Sequence, residues 1–161
     1  TVGVGQSETF IKNLSDSVIL GVQPGSGDSI QFMKSGIFEI PDILVVTKCD
    51  IKNLSEITYS DLSGSKAYFQ SQNDWEIRII KTSSAQNIGF DNLFDELNLR
   101  WKWLNDNKRL DKLRINQDIN WLYSCISKDF GNKGLERIKK NVSYKNSPFS
   151  KLKELKSKFN F

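Results

Sequence analysis

Apolar and polar positions follow one pattern three times over in the first two-thirds of this chain. Val18-Ile19-Leu20-Gly21-Val22 is a short, continuous, β-branched run, which predicts a buried strand. It leads into Gln23-Pro24-Gly25-Ser26-Gly27-Asp28, a turn-rich loop, and then into a short helix over Asp28–Phe38 with Ile30, Met33 and Ile37 at helical spacing. Gly36 weakens the last turn of that helix, and Pro41 ends it. Ile43-Leu44-Val45-Val46 predicts a second strand, apolar on both faces and cut off by Thr47-Lys48-Cys49-Asp50. Tyr59, Leu62, Tyr68 and Phe69 then suggest an amphipathic helix within 54–72, broken or frayed around Gly64. Trp75–Ile80 alternates loosely and predicts a third strand, followed by a polar loop from Lys81 to Gly89. Phe90, Leu93, Phe94, Leu97, Trp101 and Leu104 mark a strongly amphipathic helix.

Strand, loop and helix repeated in this order predict a parallel α/β sheet with its functional loops along one edge. Beyond residue 105 the strand signals stop. Ile115, Ile119, Leu122 and Ile126 mark one helix face, Gly131 and Gly134 break the chain, and Leu152, Leu155 and Phe159 mark a further short helix. The expected domains are an α/β part over residues 1–104 and a helical extension over 105–161. At the other end, Gly3 and Gly5 lie in a loop leading into a helix that Ser7 could cap.

Composition narrows the chemistry. The chain has 161 residues, enough for a real core, and no apolar run near the 18 residues of a membrane span. Its first residues carry no basic-then-apolar leader pattern. There is no histidine, which removes Ser-His-Asp and Cys-His catalysis and His-based metal sites. Cys49 and Cys125 lack paired spacing, so the expected setting is a reducing cytoplasm. The net charge of +4 is uneven: residues 1–99 carry 7 Lys+Arg against 13 Asp+Glu, a net −6, and residues 100–161 carry 16 against 6, a net +10. A basic tail can bind nucleic acid or another anionic partner, but it more often serves as a solvated helical face, and nucleic acid is not the partner expected here.

The loop after the second strand carries the most specific chemistry. Ligands of open α/β sheets bind beyond the carboxyl ends of the strands. An ionised Asp50 there can accept hydrogen bonds from a guanine's ring N–H and exocyclic amine, while the stem of Lys48 lies along the purine face. Thr47-Lys48-Cys49-Asp50 resembles the Asn/Thr-Lys-x-Asp guanine-specificity motif of GTP-binding proteins. Other segments join it in order: Thr1-Val-Gly-Val-Gly-Gln-Ser-Glu8, Pro24-Gly-Ser-Gly-Asp-x-Ile-Gln31, Lys34-x-Gly-Ile-x-Glu39, Asp42-x-x-Val-Val-Thr-Lys-x-Asp50, Ser84-Ala85 and Arg114-x-x-Gln117-x-x-x-Trp121. Together they resemble the MeaB/ArgK family of P-loop GTPases, chaperones of cobalamin-dependent acyl-CoA mutases such as methylmalonyl-CoA mutase.

That resemblance implies roles position by position. Gly3 matches the glycine whose backbone N–H meets the γ-phosphate, and Gln6 lies in the switch that follows it, where it could orient a water or simply start a helix. Lys48 and Asp50 would hold guanine, with Thr47 in place of the commoner Asn. Ser84 and Ala85 match the final base-contacting motif. Asp28, Gln31 and Lys34 are the polar candidates of an additional switch facing the mutase. The resemblance also implies GTP/GDP and Mg²⁺ as cofactors, and a homodimer formed through the helical extension. One departure stands out: no Gly-x-x-x-x-Gly-Lys-Ser/Thr phosphate loop occurs in the chain. That loop and the Mg²⁺ ligands are expected upstream of Thr1, which makes the expected core incomplete at its N-terminus, with an exposed sheet edge. Base contacts through Asp50 supply about 1.5–3 kcal/mol, whereas phosphate and metal contacts supply the catalysis, so these 161 residues are not expected to hydrolyse GTP alone. The alternative is a truncated, non-enzymatic interaction module of the same family.

Overall fold

The computed structural model describes residues 10–25, 37–66, 74–139 and 147–158. The chain divides into two compact units, Thr1–Arg109 and Leu110–Phe161.

The first unit is built on three parallel strands in the order β1 (Ile19–Val22), β2 (Ile43–Val46), β3 (Arg78–Lys81). The register sets Ile43 between Ile19 and Arg78, and Val46 between Val22 and Lys81. All four residues of β2 are buried, as a central strand covered on both faces requires. Burying each such side chain is worth about 1.5–3 kcal/mol. Helix α1 (Lys52–Gly64) covers one face, where Leu62 packs with Val22, Leu44, Val46 and Ile77. Helix α2 (Phe90–Asn105) covers the other, where Leu93 and Leu97 pack on Ile43, Val45 and Ile80.

Several boundaries differ from expectation. α1 ends at Gly64, and its predicted continuation through Tyr68 and Phe69 lies outside the described residues. β3 begins at Arg78 rather than Trp75, because Trp75 is used otherwise: its indole Nε1 donates to the Asp42 carbonyl at 3.0 Å. Along α2, Phe90, Phe94 and Trp101 are exposed. The inward line is the half-buried Leu93 and Leu97 and the buried Arg100 and Leu104, one face of a helix at 3.6 residues per turn, with an arginine inside the apolar stripe. The Arg100 guanidinium pairs with Asp42 Oδ1 at 2.8 Å and lies 5.0 Å and 4.6 Å from the rings of Trp75 and Trp103. Asp42 Oδ2 also accepts from the Val18 N–H at 2.8 Å, tying the amino ends of β1 and β2 to the far end of α2. Of the helix expected over Asp28–Phe38, residues 26–36 lie outside the described residues, and Ile37–Glu39 form a single 3₁₀ turn.

The second unit contains no strand among its described residues. Helix α3 (Arg109–Lys139) is kinked at Gly131, whose φ is 65°. Gly134 does not break it: that residue stays helical and buried, and a Cβ there would meet Phe130 at 2.5 Å. Helix α4 (Pro148–Lys158) sends Leu152 and Leu155 against Leu122 and Ile126 of α3, and Phe149 lies against Trp121 with centroids 4.8 Å apart. Ile115 is exposed rather than part of the buried face.

Candidate functional site: a groove at the carboxyl ends of the strands

The parallel sheet delivers the loops after β1, β2 and β3 to one edge, and backbone bonds stitch them together. Thr47 N–H donates to the Val22 carbonyl at 2.9 Å, and its hydroxyl reaches the same oxygen at 3.3 Å. Thr82 N–H donates to Val46 O at 2.8 Å, and Cys49 N–H donates to Thr82 O at 2.9 Å. The loop after β2 is therefore fixed to both neighbours before any side chain acts.

Lys48 sits at φ 52°, in the left-handed region, and the chain turns tightly there into α1. Ile51 N–H closes that turn on the Lys48 carbonyl at 3.0 Å, and the Ser55 hydroxyl braces it through the Cys49 and Lys52 carbonyls. The side chains of Lys48 and Asp50 emerge at the edge of the sheet. The Lys48 ammonium donates to Gln23 Oε1 at 3.1 Å, and the Asp50 carboxylate accepts from the Ser83 hydroxyl.

The loop after β3 is closed by Ser83 and Ile88, which exchange both backbone hydrogen bonds at 3.0 Å. Ser83 is fully buried; Ser84 and Ala85 form the exposed turn beyond it. The Gln86 N–H donates to the Ser83 hydroxyl at 3.3 Å. Gly89 starts α2 at φ 80°, and a Cβ there would stand 2.0 Å from the Lys81 carbonyl oxygen. Only glycine lets helix and strand approach this closely.

These loops enclose an open groove of about 750 Å³. Thr47, Lys48, Asp50, Ser84 and Ala85 all line it. Ile19, Gly21 and Val45 also line it from the sheet, and Phe90 and Leu93 from α2. The only charges among the lining residues are Lys48 and Asp50. Such a groove offers apolar surface to a flat ring and one ionised acceptor to ring donors. The sequence pattern does not single out Ser83, which is buried behind the groove and holds Asp50, or Phe90, which lines it. Ser83 directly precedes the predicted Ser84-Ala85 pair, and Phe90 opens an amphipathic helix; neither position carries a local mark of its role.

Gly3, Gln6, Asp28, Gln31 and Lys34 lie outside the described residues. Among the described residues, no cluster of three or more His, Cys, Asp or Glu side chains could hold a metal ion. Both cysteines are free thiols, and no described helix is long and apolar enough to cross a membrane.

Comparison with known proteins places the chain in a family. The sequence profile of the family described as methylmalonyl Co-A mutase-associated GTPase MeaB matches residues 1–139. The chain belongs to the MeaB family. It is 29% identical over 129 residues to the mitochondrial methylmalonic aciduria type A homolog of Caenorhabditis elegans, covering 78% of this chain and 32% of that protein. It is 29% identical over 125 residues to the GTPase ArgK of Escherichia coli, covering 76% of this chain and 38% of that protein. The chain thus spans about a third of the length of these relatives. Its parallel sheet with helices on both faces is part of the α/β P-loop GTPase fold of the family.

Proposed function

We propose that this MeaB-family chain supplies the guanine-recognition half of a GTP-binding and GTP-hydrolysing chaperone, one that assists a cobalamin-dependent acyl-CoA mutase of the methylmalonyl-CoA type. The observation that carries the reading is the convergence of Thr47, Lys48, Asp50, Ser84 and Ala85 on one groove. In it Asp50 accepts the guanine ring N–H and exocyclic amine, Lys48 lies along the ring face, and the turn at Ser84 and Ala85 offers backbone N–H groups to the base carbonyl. An adenine lacks that pair of donors, so the Asp50 carboxylate is the element that discriminates. When bound, GTP supplies the phosphoryl group whose hydrolysis drives the cycle; the described residues hold only its base.

The second unit is proposed as the dimerisation or partner element, and Asp28, Gln31 and Lys34 as polar contacts to the mutase. Co-elution with a purified methylmalonyl-CoA mutase on gel filtration, in the presence of GDP, tests the partner. The triple variant Asp28→Ala, Gln31→Ala, Lys34→Ala is expected to elute separately; co-elution of the variant as tightly as the parent contradicts the assignment.

A further inference from the structure

The ammonium of Lys48 is placed two residues from the carboxylate of Asp50, and both line the same groove. Opposite charges this close on one loop attract each other, which favours, weakly at an exposed site, their collapse into a contact pair. Such a collapse would cover the carboxylate oxygens that a base must reach. Among the described residues, no ion pair joins Lys48 to Asp50. Two features hold them apart. The left-handed backbone at Lys48 (φ 52°) breaks the extended run of β2, and the ammonium donates to Gln23 Oε1 at 3.1 Å, on the loop after β1.

Gln23 is itself well placed. It follows Val22, whose carbonyl binds both the N–H and the hydroxyl of Thr47, so the two loops are locked one residue before the Gln23–Lys48 contact. Two residues further on, Gly25 packs against Leu54 of α1, where a Cβ would lie 3.1 Å from the leucine side chain. The Gln23 backbone is therefore tied on one side to the loop after β2 and passes close to α1 on the other. Asp50, for its part, is turned the other way, onto the Ser83 hydroxyl of the loop after β3.

We infer that Gln23 is a positioning residue for nucleotide specificity: its amide oxygen holds Lys48 off Asp50, so the carboxylate stays open to the donors of a guanine base. An amide oxygen suits the task because it accepts from the ammonium without adding a charge to the groove. The inference rests on the guanine reading of Thr47–Asp50, and its test separates the two.

The first arm needs no nucleotide. The lysines of the full chain are reductively methylated with ¹³C, and the Lys48 signal is assigned with a Lys48→Arg variant. In the parent, Asp50→Asn leaves that signal nearly in place. In a Gln23→Leu background, where Lys48 is released onto Asp50, the same Asp50→Asn change moves it. Equal movement in both backgrounds overturns the inference, whatever the groove binds. The second arm follows backbone chemical shifts while GDP or ADP is titrated into the same proteins. Loss of one hydrogen-bonded hold corresponds to about a two- to tenfold change in affinity. Gln23→Leu is expected to weaken GDP by that factor and leave ADP unchanged, and Gln23→Glu, which still accepts from the ammonium, to retain the GDP preference. Equal weakening of GDP and ADP, or none, overturns the specificity role. If the parent itself shows no preference for GDP, the guanine reading fails, while the first arm still decides whether Gln23 holds Lys48.

Discussion

The Ser83 hydroxyl donates to the Asp50 carboxylate, joining the loop after β3 to the loop after β2. Ser83 also exchanges backbone hydrogen bonds with Ile88 and accepts from Gln86 N–H. One buried side chain thus fixes the orientation of the carboxylate and the shape of the turn that faces it. Ser83→Ala removes a donor to a charged group and leaves the Gln86 N–H without that acceptor. We expect a loss of about 1–3 kcal/mol in unfolding free energy by urea titration, and GDP binding weaker by up to about tenfold. Parent-like GDP binding by this variant would show that the carboxylate is held by something else.

Half-buried Asp42 and buried Arg100 form a charge pair at the opposite edge of the sheet. Removing one member leaves the other uncompensated, so Asp42→Ala is expected to cost about 3–5 kcal/mol. Asp42→Asn keeps an oxygen for the Val18 N–H and resembles the protonated acid, so it costs less. Burial pushes the Asp42 carboxyl above its ordinary value of 3.8, with the Arg100 charge, the Val18 N–H and the Lys12 charge opposing the shift. The folded state therefore keeps this proton to higher pH than the unfolded chain. Its contribution is complete below pH 3.8 and is lost as pH rises through the folded titration. Urea unfolding of the parent between about pH 4 and pH 7 is expected to carry this downward component, and Asp42→Asn to lack it. Identical slopes for both proteins would exclude Asp42 as its source.

Gly89 permits the contact between the start of α2 and the end of β3. Alanine there meets both a left-handed φ and the Lys81 carbonyl oxygen. Strain of this kind costs about 1–3 kcal/mol before the clash is counted. Gly89→Ala should lower the unfolding midpoint clearly and disturb the backbone signals of Ser84 and Ala85. An unshifted midpoint would contradict the close approach.

In the second unit, Leu122 and Ile126 carry the contact with α4. Leu122→Ala is expected to cost about 2–5 kcal/mol of that unit's stability. The change should appear in the fluorescence of Trp121, which lies against Phe149. A transition unchanged by Leu122→Ala would mean that this cluster does not hold the unit together.

The parts of the fold legible in the sequence were those with a local periodicity. β2 was marked by four consecutive apolar residues, and Leu93, Leu97 and Leu104 by helical spacing. Lys48 and Asp50 were marked by motif, and they line the groove together with Ser84 and Ala85. What escaped was set by tertiary pairing. Arg100 reads as a polar break in an apolar stripe until Asp42, Trp75 and Trp103 surround it. Trp75 reads as a strand residue, yet it contacts a carbonyl and a guanidinium before the strand begins. Gly134 reads as a breaker, yet it stays inside a helix, where it lies close to Phe130. Ser83 is separated from Ser84 only by burial, which a dipeptide of like residues does not reveal.

The central claim is that the groove at the strand ends recognises guanine through Asp50. The most direct measurement is a backbone chemical-shift titration of the chain with GDP and with ADP, a method sensitive to weak binding, repeated on Asp50→Ala. The account predicts that GDP shifts Thr47–Asp50 and Ser84–Ala85 at lower concentration than ADP does, and that Asp50→Ala removes the difference. Shifts of equal size for the two nucleotides, no shifts in these loops, or a GDP preference that survives Asp50→Ala would contradict it.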